Sequence, residues 1–277
     1  MLPVVDTRPL FRPLCRDIVR QIRALPAEDW GRPTLAGVWR VRDVVAHLLD
    51  TALRRLSFDR DGRNPPAPPR PIEEERDLVA FINDLNATWI RAAERLSPRV
   101  LSDLYAAVSE DLSEFVENVN LDGPARFPVS WAGAAGSPAW LDIGREFTEV
   151  WHHGAQLRDA VGAGPFSEAR WLHDVLAIAM HAIPHAYRDV PGDVGQSVVV
   201  DVLGEAGGAW TLRARDSGWE MDEGSHPEAT ARVSMSDEVA WRLFFNALPR
   251  AVALSAIRVE GDVALAAPLL HVRSVIV

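Results

Sequence analysis

The hydrophobic period of this chain changes once, near residue 195, and that change limits what it can fold into. Before it, apolar residues recur at three- and four-residue spacing, as on amphipathic helices. After it they fall into short blocks bounded by glycine, as in strands. Residues 9–25 set Leu10, Leu14, Ile18, Ile22 and Leu25 on one helix face. Residues 39–57 repeat the pattern with Val41, Val44, Val45, Leu48, Leu49 and Leu53. The stretch 61–72 carries five prolines and reads as a stiff loop. Helices are predicted again over 73–97 and 100–119, a loop over 121–140, and a helix over 139–161 stopped near Gly162 and Gly164. A further helix is expected over 167–183, which Pro184 should kink or end.

Beyond the change, residues 197–204 and 209–215 read as a hairpin across Glu205 to Gly208. Strands are expected at 218–222, 228–236 and 257–263, with helices at 237–246 and 264–271. The boundary falls at 190–196, where DVPGDVG supplies proline and glycine. The expectation is a helical domain over 1–193 and a small α+β domain over 194–277.

Composition removes several classes of function. At 277 residues, 48% hydrophobic and 25% charged, the chain forms a core and is not disordered. It contains no lysine, so all 29 basic residues are arginine. That excludes Schiff-base chemistry and the P-loop. A net charge of −10 with only short arginine groups argues against nucleic acid as a partner. No apolar run reaches the ~18 residues of a membrane span. The start lacks a basic region followed by an apolar one, so no secretory signal is expected. Cys15 alone forms neither an internal disulfide nor a thiolate cluster, and a reducing cytoplasm is the expected location.

The residues able to carry chemistry concentrate on two helices. Glu149 and His153 lie four apart in 139–161, one turn from each other on one face, with Glu146 on the same stripe. His47 stands among Val44, Val45, Leu48 and Leu49 and so points into the bundle or its end. Two imidazoles and a carboxylate with an open fourth position form the pattern of a catalytic divalent-metal site, most often zinc. Each part has a plainer reading. A histidine on an apolar face is more often a hydrogen-bonded core residue. A Glu–His pair one turn apart is often a surface contact worth only about 0.2–0.5 kcal/mol. Glu149 and His152 also form an E-x-x-H pair as in di-iron bundles, but no second helical pair accompanies it. His152 and His153 point about 100° apart on a helix, so only one of them faces a metal. His173, His181 and His185 read as a capping or interdomain surface. Trp39 and Trp151 stand near the proposed ligands as pocket walls.

Residues 30–50 contain Trp30, Pro33, Thr34, Trp39, Val41, Asp43 and His47 in an order that resembles the mycothiol-dependent maleylpyruvate isomerase family, a branch of the DinB-like metal-binding bundles. Residues 149–162 resemble the same family's E-x-x-x-H-x-x-D-L-x-x-A-x-G helix through Glu149, His153, Leu157, Ala160 and Gly162. The resemblance implies a DinB-like four-helix bundle followed by a small sterol-carrier-protein-like α+β domain. It selects His47, Glu149 and His153 as the metal set, over His152. It further implies a divalent metal, by default zinc (Zn2+), and mycothiol or a related low-molecular-weight thiol as cofactors. Arg258, at the start of a C-terminal strand, is the implied anchor for a substrate carboxylate. The implied chemistry is addition of the thiolate to a small electrophilic conjugated substrate, giving cis–trans isomerisation or S-transfer. Two departures stand out: Ala36-Gly37-Val38 replaces a frequent Cys-Pro-Gly, and Gln156 replaces the aspartate after the metal histidine. They bear on the substrate rather than the ligand set. A metal hydrolase using bound hydroxide, and a non-catalytic small-ligand or lipid carrier, remain as other readings.

Overall fold

The computed structural model describes residues 2–133, 136–166 and 168–275. Helix α1 (Arg8–Ala24) buries Leu14, Ile18 and Ile22 of the predicted stripe together with Phe11 and Cys15, while Leu10 is half-buried and Leu25 lies past the helix end. Helix α2 (Val41–Arg55) buries His47 with the flanking Val44, Val45, Leu48 and Leu49, then runs into a five-residue π-turn, Leu56–Arg60. The proline-rich stretch follows as exposed chain without regular structure. Helices α3 (Glu75–Ala93), α4 (Pro98–Glu117) and α5 (Ala139–Val161) complete the helical region. Ser97 caps α4 by accepting the Val100 N–H at 3.3 Å, with Pro98 in the first turn, where a missing donor costs nothing.

Contacts divide the chain into two units. The first holds Arg8–Asn120 and Val150–Phe166. In it α4 packs on both α1 and α2. The ring closes through the latter half of α5, which meets α1 at Gly154 and Ile18 and meets α2 at His153 and His47. Four helices thus surround one core. Helix α3 packs on α2, and Trp89 Nε1 donates to the Ala46 carbonyl at 2.7 Å, directly beside His47 in sequence. Arg12 and Arg16 of α1 reach Glu117 and Glu110 of α4 at 2.7 Å each.

Among the described residues, the second unit holds 2–7, 121–133, 136–149 and 168–275. It contains the first half of α5, then α6 (Ala169–Ala179) and α7 (Ala182–Ala186). Helix α6 stops before Pro184, which instead sits in the first turn of α7, where its absent N–H is tolerated. Strands β1 (Ser197–Leu203), β2 (Gly208–Arg215), β3 (Gly218–Glu223), β4 (Ala231–Ser236) and β5 (Arg258–Gly261) form one sheet in the order β3-β2-β1-β4-β5. β1 and β4 are parallel and the other neighbours antiparallel. Val198, Val199 and Val200 of central β1 are all fully buried. Both faces of that strand are therefore covered, which is why it reads as an unbroken apolar run. Helix α8 (Asp237–Phe244), capped by Ser236, packs on β1 and β4. Helix α9 (Arg250–Ser255) was not expected from the periodicity; its six residues are too few to show a face. The chain closes through α10 (Val263–Ala266) and a 3-10 turn. No helix among the described residues is long and apolar enough to cross a membrane.

Candidate metal centre

Helix α2 is entered through a tight loop. Pro33 and Arg40 form an isolated antiparallel bridge. Between them the Thr34 hydroxyl donates to the Trp39 carbonyl at 2.8 Å and accepts the Ala36 N–H at 3.1 Å. Gly37 takes the left-handed conformation that this turn requires (φ +64°). The Asp43 carboxylate accepts the Arg40 N–H at 2.9 Å, fixing the first turn of α2. The result places the Trp39 ring over His47, with centroids 4.8 Å apart, and 6.4 Å from the His153 ring. Pro33, Thr34, Trp39 and Asp43 thus share one local job, which is to set the entry of the helix that carries His47.

Helix α5 presents Glu149 and His153 one turn apart. Gly154 permits close approach at that level: a Cβ there would lie 2.9 Å from Ile18 Cδ1 and 3.0 Å from Phe166 Cε1. The rings of His47 and His153 stand edge to face, 4.8 Å between centroids. One ligand atom each from His47, Glu149 and His153 falls within 4.8 Å of the others. The two histidines are each 4% exposed, and Glu149 is half-buried. His153 Nδ1 lies 2.8 Å from Gln156 Oε1.

The structure therefore brings together the three residues read as ligands. His152 is also buried and lies beside His153, 4.0 Å between centroids, outside the three-residue group. Trp39 borders the site. Trp151 does not: it stacks on Phe166 at 5.9 Å in the core. Cys15 is buried on the core face of α1. Arg258 opens β5 with an exposed side chain and pairs with Glu260. His181 lies against Trp140 and His185 against Gly133. In the sequence Gln156 stands out only as a departure from a family pattern. Its i, i+3 spacing from His153 is the signal that marks it as a neighbour of that ring.

The donor set is suited to a divalent ion. Neutral imidazole and carboxylate are borderline and hard ligands respectively, and both serve zinc and neighbouring metals.

The sequence profile of the mycothiol maleylpyruvate isomerase N-terminal domain matches residues 11–158. A crystal structure of a histidine-to-alanine mutant of the mycothiol-dependent maleylpyruvate isomerase shares the fold at a TM-score of 0.54 and 15% identity, over 95% of each chain. A crystal structure of the mycothiol-dependent maleylpyruvate isomerase gives a TM-score of 0.53 and 16% identity over 87% of this chain and 88% of that one. No curated protein matches the sequence.

Proposed function

Because the chain belongs to the mycothiol maleylpyruvate isomerase N-terminal domain family, we propose that it is a metal- and thiol-dependent enzyme acting on a small electrophilic, conjugated substrate by cis–trans isomerisation or S-transfer. The observation that carries this reading is the convergence of His47, Glu149 and His153 within 4.8 Å at the buried junction of α2 and α5. These three residues hold the metal, zinc by default. A divalent ion held by these residues would supply Lewis acidity, the chemistry that favours the anionic form of a bound water or thiol. Mycothiol or a related low-molecular-weight thiol supplies the nucleophile, which accords with a lone cysteine that is buried.

The chain's own residues set the conditions for that chemistry. Trp39 covers the imidazoles on one side and keeps water from them. Thr34 and Asp43 hold the loop and helix that carry Trp39 and His47. Arg258 is assigned to a substrate carboxylate, which a guanidinium binds through two parallel hydrogen bonds.

Purified protein should carry about one divalent metal per chain by elemental analysis, and His47→Ala and His153→Ala should each lose it. Turnover should vanish when the thiol is omitted. Full metal content in both variants would overturn the site, and undiminished turnover without thiol would point instead to a hydrolase.

A further inference from the structure

The His153–Gln156 contact has a role that the ligand set does not explain. Both side chains are buried, at 4% and 5% exposure, and meet at 2.8 Å between Nδ1 and Oε1. Both stand on α5, so the helix itself fixes their spacing. A neutral imidazole has one N–H and one bare nitrogen, and the hydrogen bond at one decides the other. The carboxamide oxygen accepts only. It therefore selects the tautomer with hydrogen on Nδ1.

We infer that Gln156 is a positioning residue: it locks His153 in the Nδ1–H tautomer, so that a bare Nε2 is left to face His47 and Glu149. The inference rests on the proposed metal centre for its purpose but not for its test. Outer hydrogen bonds of this kind hold a ligating ring in orientation and are commonly worth ten- to a hundredfold in metal affinity. Most often the acceptor is a carboxylate or a carbonyl. Here it is neutral, so Gln156 orients His153 without adding a negative charge. With a divalent ion and Glu149 the centre keeps a net charge of +1, which favours an anionic fourth ligand such as a thiolate.

The test starts with the metal-free protein at about pH 8, above the usual histidine range. Long-range nitrogen–proton correlation spectra report which nitrogen of His153 carries hydrogen. Wild type should show Nδ1–H. Gln156→Leu, similar in volume without an acceptor, should lose that preference, and Gln156→Glu should restore it. Zinc affinity, measured by chelator competition, should fall about ten- to a hundredfold in Gln156→Leu and recover in Gln156→Glu. An Nε2–H tautomer in wild type, or a tautomer and affinity unmoved in Gln156→Leu, overturns the inference. If no form binds zinc, the metal-dependent reading fails, and the wild-type tautomer still decides the role of Gln156. Should Gln156→Leu not fold, the wild-type and Gln156→Glu spectra carry the decision.

Discussion

Two histidines of this chain, His153 buried and His181 half-buried, illustrate opposite ways of taking an imidazole out of water. His153 is given an acceptor at 2.8 Å. His181 is half-buried against Trp140, ring centroids 5.1 Å apart, and its shielded Nε2 has no hydrogen-bond partner among the described residues. Burial alone lowers the His181 imidazole from its ordinary 6.5 to about 4. The unfolded chain takes up a proton near 6.5, whereas the fold resists until about 4. The contribution of His181 to stability is therefore intact above about pH 6.5 and is lost as pH falls through that window, by up to about 1.4 kcal/mol per pH unit. His181→Leu removes the titrating group and keeps the volume. Denaturant titrations should show wild type losing about 2 kcal/mol more than His181→Leu between about pH 7 and pH 4.5. Parallel profiles for the two proteins would refute the burial account.

At the scale of elements, α1 and α5 approach closely beside the candidate metal site. Gly154 follows His153, and its missing side chain is what lets Ile18 and Phe166 close in. Replacement by alanine should nearly balance, since about 1 kcal/mol of helix propensity is gained against the strain of contacts near 3 Å. Gly154→Val adds bulk with no such return and should cost about 1–3 kcal/mol in chemical denaturation. It should also weaken metal retention by displacing His153, and unchanged metal affinity in a destabilised Gly154→Val would separate the joint from the site. This joint was not legible in the sequence, because nothing in a lone glycine says which helix it approaches. The elements themselves are legible: the ranges expected for α1, α2 and α5 fall within about two residues of the helices found, and the period change near 195 matches β1 starting at Ser197. What escaped was short or context-bound. Helix α9 is too brief for a period, and α6 ends at Ala179 by its own turn rather than at Pro184. In the site, the i, i+4 spacing of Glu149 and His153 was visible. The meeting with His47 was not, since it depends on packing between residues about a hundred positions apart; there the family resemblance carried what spacing could not.

Across the whole molecule, the proposed activity asks for two separable tasks, holding a metal and holding a substrate. The first falls to α2 and α5. The second is assigned to Arg258 in the sheet-bearing C-terminal region, proposed as a domain over 194–277. Its ion pair with Glu260 joins side chains that are 77% and 49% exposed. Pairs that open to water contribute little, so the guanidinium can exchange Glu260 for an incoming carboxylate at small cost. A charge-assisted hydrogen bond to a substrate is worth about 1.5–3 kcal/mol, or roughly ten- to a hundredfold in kcat/KM. Arg258→Ala should lose that much, chiefly as a higher KM, because the interaction exists before and during reaction alike. Metal content should stay at the wild-type level, and Glu260→Gln should leave turnover intact. A fall in kcat with KM unchanged would move Arg258 from substrate binding to the reacting centre. Wild-type kinetics in Arg258→Ala would remove it from the site and leave the carboxylate to another of the chain's arginines.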